Sequence, residues 1–163
     1  MVSQRSEKMD KVKKYLPLVA TISGILAVVL FLFMDVFAGA GVAGNGLETT
    51  FGKKQDVFGF KVTIFKFNFM GFVTILLALA AVIVSALANK KQNKVAIIVG
   101  AALFFVAAIF FFCTKSFVLS ANNVDKAIAD AYKNAGGAIL AGILSIVGAV
   151  ATATPIVLEK LGK

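Results

Sequence analysis

Histidine and tryptophan do not occur in this chain, and cysteine occurs once. Without histidine the usual general base near neutral pH and the commonest metal ligand are missing, which excludes Ser-His and Cys-His catalytic pairs and His-built metal centres. The single cysteine, Cys113, rules out an internal disulfide; set in an apolar run, it reads as a small buried hydrophobe. The acidic residues are few and scattered over different loops, and none lies near the middle of an apolar run. A proton-coupled transporter needs an ionisable relay near the bilayer midplane, so that class is disfavoured too. Charged residues make up only 15% of the chain, too little to solvate the surface of a soluble domain. The sequence therefore offers no catalytic, cofactor or metal constellation, and a non-enzymatic protein is expected.

What is present is apolar: 60% of the 163 residues are hydrophobic, gathered into four long runs. Each run supports about 20 helical residues, enough to cross a hydrocarbon core roughly 30 Å thick. Lipid tolerates only helices and closed barrels, and these runs lack the alternation of barrel strands. The fold class expected is an all-α membrane protein, a four-transmembrane-helix bundle with a small extracellular β-hairpin and a short extracellular helix. Spans are placed at about 16–37, 67–88, 95–114 and 136–158 within a transmembrane domain 16–158. Residues 1–15 form a basic N-terminal tail, 38–66 and 115–135 the outer segments, and 159–163 a C-terminal tail.

The fourth span carries small residues every fourth position: Gly137, Ala141, Ser145, Ala149 and Ala153. In lipid such residues let another backbone approach closely and gain dispersion contacts. Ala20, Gly24 and Ala27 give the first span a shorter small-residue face, and the two faces are expected to pack together as the spine of the bundle.

The basic start, first apolar run and Ala38-Gly39-Ala40 imitate a secretory signal, but the run exceeds the usual length of a signal core and reads as a retained signal anchor. Pro17 suits the first helical turn of that span. Gly39, Gly41 and Gly44 match G-x-G-x-x-G; with no strand before them and no soluble helix after, they read as a flexible exit from the membrane. Residues 48–51 and 58–67 read as two strands around a turn at 52–56, with clear period-two alternation over Phe60 to Ile64. Between spans three and four, Ser120 or Asn123 is expected to cap a short helix bearing Val124, Ile128 and Ala131 on its apolar side.

Charge fixes an expected orientation. Of the 17 basic residues, ten fall in the two tails and the turn between spans two and three; the other seven are spread over the two longer segments. The positive-inside rule then places both termini in the cytosol of a multi-pass plasma-membrane protein. The net charge of +9 suits anionic lipid headgroups, and because the lysines form no single soluble face, nucleic acid is not an expected partner. Abundant lysine and phenylalanine beside one arginine suggest AT-rich bacterial coding.

Asp35 and Lys115 are expected at one level near the outer face, as interfacial charges, an ion pair or a gate. Phe58, Phe60, Phe65, Phe67, Phe110, Phe111 and Phe112 crowd the same level. They read as a hydrophobic seal between hairpin and bundle, as a subunit contact, or as rings lying against lipid. Four spans, inward termini, a strand-bearing first outer segment and a shorter second one resemble the claudin-type tetraspan plan in outline. That family's tryptophan and paired cysteines are missing, so the outline carries over no residue and no function. The function expected is that of a self-associating structural or interaction protein, partnered by membrane lipids and by its own copies or another membrane protein. The alternative is an oligomeric pore formed by several four-helix subunits.

Overall fold

A computed structural model of the chain describes residues 2–91 and 93–161, with side chains described for 15–88, 90–91 and 93–160. Four helices are long and apolar enough to span a membrane, with spanning stretches Tyr15–Phe33, Phe69–Ala88, Lys94–Phe112 and Gly136–Lys160. They belong to α1 (Val2–Phe33), α3 (Phe69–Lys91), α4 (Lys94–Phe112) and α6 (Gly136–Leu161). The four pack in a ring, α1 against α6, α6 against α4, α4 against α3 and α3 against α1. The short turn between α3 and α4 makes them antiparallel neighbours. Asn93 caps α4, its side-chain oxygen accepting from the Ala96 N–H at 3.2 Å.

Several expected boundaries move. The basic N-terminal segment is helical from Val2 and continuous with the first span, so Pro17 lies inside α1 rather than in its first turn; its carbonyl accepts from the Thr21 hydroxyl at 2.9 Å. That helix stops at Phe33, short of the expected Phe37. At the other terminus α6 runs through Pro155 to Leu161, absorbing most of the expected tail; Gly162 and Lys163 lie outside the described residues.

Between α1 and α3 the chain builds more strand than expected. The glycine-rich stretch is an ordered hairpin, β1 (Asp35–Gly39) and β2 (Val42–Asn45), turning through Ala40 and Gly41. Both turn residues have positive φ, as a type I′ turn requires. Residues 48–51, expected as a strand, lie in the helix α2 (Gly46–Phe51), because the Asn45 side chain accepts from the Glu48 N–H at 3.0 Å and starts a helical turn. The expected hairpin exists with shifted bounds: β3 (Lys53–Val57) and β4 (Phe60–Phe65) meet at a tight Phe58-Gly59 turn, so 53–56 is strand and not turn.

After α4, Cys113 breaks the helix (φ −85°, ψ 2°) and α5 (Thr114–Ala121) follows. The expected short helix is a 3-10 helix, Lys126–Ala131, and its cap is Asp125, whose carboxylate accepts from the Ala127 N–H at 2.9 Å, in place of Ser120 or Asn123. Tyr132 lies on β5 (Tyr132–Asn134), which pairs antiparallel with β1. The result is a three-stranded sheet, β2-β1-β5, at the end of the bundle away from the chain termini, beside the separate β3-β4 ribbon.

Candidate interaction surface

Small residues in the bundle receive rings. Phe104 of α4 is fully buried and lodged between two glycines: a Cβ on Gly24 of α1 or on Gly148 of α6 would meet its ring at 2.7 and 3.0 Å. Phe112 likewise lies against Gly142 of α6. Phe31 and Phe111 meet at 4.9 Å between ring centres in a core that includes Ala27 and Ala141. Ala20 and Ser145 are fully buried, Gly137 and Ala149 buried, and Ala153 half-buried. Gly24 faces α4 and α3, and Gly137 faces the backbone of Met34 and Asp35. Gly142 and Gly148, outside the expected four-residue stripe, are approach points of the same kind, a Cβ there meeting the Phe112 and Phe104 rings at 2.6 and 3.0 Å.

The end layer rests on an aromatic stack. Phe37 of β1 lies face to face with Tyr132 of β5 at 5.2 Å and edge-on to Phe65 of β4 at 5.9 Å. Two asparagines tie the layer to the helices. Asn134 accepts from the Lys115 N–H at 2.7 Å and donates to the Phe112 carbonyl, bridging the α4–α5 break. Asn122 accepts from the Lys66 N–H at 2.9 Å and donates to the Val118 carbonyl at 2.8 Å, tying the base of the ribbon to α5. Neither asparagine stood out in the sequence, since their partners are backbone groups far along the chain.

A recess of about 70 Å³ opens here, lined by Phe37, Val42, Phe65, Val118, Val124 and Tyr132 among others. Above its base the β3-β4 ribbon stands free. Cross-strand pairing sets Val57 beside Phe60 and Gln55 beside Val62 on one face, with Asp56 beside Lys61 and Lys54 beside Thr63 on the other. The ribbon is therefore amphipathic, yet its apolar face is uncovered: Phe60 is 75% exposed and Phe58, at the turn, 97%. Only Phe65, at the base, is buried. The reading of these phenylalanines as a seal over the bundle is thus corrected for Phe58 and Phe60, because the ribbon rises away from the helices instead of lying on them.

The remaining expected residues separate. Asp35 is exposed on β1 and Lys115 half-buried on α5, and the ion pairs among the described residues are Lys53–Glu48 and Lys94–Glu159, so these two do not form a salt bridge. Phe67 is exposed near the start of α3, Phe110 leans on Phe117 at 5.4 Å, and Phe111 is in the core. Among the described residues no three of His, Cys, Asp or Glu come together. No family model, no curated protein and no solved structure matches the chain.

Proposed function

We propose that this chain is a non-enzymatic, multi-pass membrane protein that self-associates, acting as a structural or interaction partner in the plane of the membrane. The observation that carries this reading is the β3-β4 ribbon, an amphipathic pair of strands whose apolar face has no partner within the chain. A lone hairpin is marginal in water, and exposed apolar patches of this kind mark association sites. The lysine distribution supports an orientation with both termini in the cytosol, which puts the ribbon on the outer face of the plasma membrane, and the lysine-rich, arginine-poor composition supports a bacterial source.

The test is the mass of the full chain extracted in mild detergent with its lipids. A stable multimer or a defined co-purifying partner is expected. Monomers at every concentration, with nothing bound, would overturn the reading. The pore alternative has weaker support: the exposed side chains of the spans include Ile22, Ile25, Ile83, Ile98, Phe105 and Val150, a lipid-facing set with no wet stripe among them. Ion flux through liposomes holding only this protein would revive it.

A further inference from the structure

The β3-β4 ribbon leaves backbone as well as side chains without partners. It is a sheet of two strands, paired from Val57 and Phe60 at the turn to Lys53 and Phe65 at the base. In a two-residue hairpin the closing pair exchanges both hydrogen bonds, and bonded and unbonded pairs alternate from there. Phe60 and Val62 therefore bond to β3, while Lys61 and Thr63 direct their N–H and C=O groups outward. Among the described residues no backbone hydrogen bond from outside the ribbon reaches either of them. What such an open edge recognises is another extended strand.

The two edges of the ribbon differ. β3 reads Lys53-Lys54-Gln55-Asp56-Val57, a charged run of the kind that guards an edge. β4 reads Phe60-Lys61-Val62-Thr63-Ile64-Phe65, β-branched or aromatic apart from Lys61, and its outer part, Phe60 to Thr63, is exposed. Set antiparallel on a second copy of itself about Val62, this strand is self-complementary. Lys61 of each copy falls opposite Thr63 of the other, so the outward N–H and C=O groups meet and each such pair exchanges both hydrogen bonds. On the apolar face Val62 meets Val62, and Phe60 meets Ile64 on either side of it. Centring the pair on Lys61 instead sets like charges directly opposite, and centring it on Thr63 needs Phe65, which is buried. Each Lys61 keeps Asp56 opposite it on its own β3. Pairing through β3 about Gln55 would set Lys54 against Asp56 but bring no two apolar side chains together, and exposed ion pairs contribute little beside buried apolar contacts.

We infer that two copies in one membrane join β4 to β4, antiparallel about a two-fold axis at Val62, into a four-stranded sheet β3-β4-β4-β3. This rests on the self-association reading and gives it an interface. The axis is perpendicular to the joined sheet and, for copies in one membrane, lies along the membrane normal, so each ribbon runs along the surface, away from its own helices and towards those of its partner. The spacing fits. Lys66, where Asn122 holds the ribbon, is four residues from Val62, so the two bases stand eight residues apart, roughly 26 Å at about 3.3 Å per residue. A bundle two helices wide is about 20 Å across, so two bundles fit abreast.

The test keeps the ribbon's rings in place and oxidises single cysteines in liposomes holding only the full chain with Cys113→Ser. Val62→Cys is expected to form its disulfide between copies at least about tenfold faster than Lys61→Cys or Thr63→Cys, because only position 62 lies directly opposite itself. The backbone contact is tested separately by Thr63→Pro, which removes an outward N–H and leaves the bonds to β3 in place, against Thr63→Ala, which keeps that N–H. Thr63→Pro is expected to weaken association by about tenfold or more without lowering the unfolding temperature of the isolated chain, and Thr63→Ala to associate like the parent. Multimers that survive Thr63→Pro, or that cross-link no faster at position 62 than at 61 and 63, would overturn the β4 pairing while leaving self-association standing. Single copies throughout would overturn both. Faster cross-linking of Gln55→Cys would also overturn it, assigning the contact to β3, as would a 62–62 product formed only between separate vesicles, which would place the two copies in facing membranes.

Discussion

At the scale of single residues, the bundle depends on ring sockets. Phe104 is fully enclosed between Gly24, Gly148 and Val82, so Phe104→Ala leaves a cavity that neighbouring helices cannot close without moving. The expected cost is about 3–5 kcal/mol, whereas Phe105→Ala, next along the helix but turned outward, costs far less. Thermal unfolding of both variants in one detergent measures the difference. Ser145 has the opposite sign. Its hydroxyl is fully buried and has no hydrogen-bond partner among the described residues, so Ser145→Ala removes an unmet polar group. A gain of about 1 kcal/mol or no change is expected, and a clear loss in the same unfolding assay would show that the hydroxyl has a partner.

At the scale of elements, the end layer is held by pairings between segments distant in sequence, and Asn134 is its main tie to the helices. Asn134→Ala removes both the acceptor for the Lys115 N–H and the donor to the Phe112 carbonyl at the Cys113 break. The expected cost is about 1–3 kcal/mol, with faster hydrogen exchange at the Lys115 amide than in the parent. The same distance effect explains what could be read in advance. Alternation over Phe60 to Ile64 marked β4 because the periodic signal lies within the element. The stretch Ala38 to Gly44 has no such signal; its strand identity comes from the β1-β2 hairpin, where Ala38 meets Ala43, and from pairing β1 with β5, where Phe37 meets Asn134. The helix at Gly46–Phe51 depends on one cap, Asn45, while Thr49, Thr50 and Phe51 alone favour strand. Four apolar runs made the bundle legible, since run length is set by the hydrocarbon thickness. The ring sockets were not, because glycine spacing does not say which aromatic ring enters.

At the scale of the whole molecule, four helices suited to a membrane support a strand layer at one end, and that layer leaves an apolar ribbon face uncovered beside an unfilled apolar recess. An interior packed with Phe31, Phe104 and Phe111 makes a single copy a poor conduit and a sound scaffold. The proposed activity thus lies between copies rather than inside one. If the ribbon drives association, Phe58→Asn and Phe60→Ser together weaken it by tenfold or more, about 1.4 kcal/mol, without lowering the unfolding temperature of the isolated chain. The most direct measurement is the number of copies per particle, counted by single-molecule photobleaching of the labelled full chain in liposomes at high lipid dilution. The account predicts several bleaching steps per particle, falling to one in the Phe58→Asn, Phe60→Ser variant. Single steps for the parent chain at every dilution would contradict it.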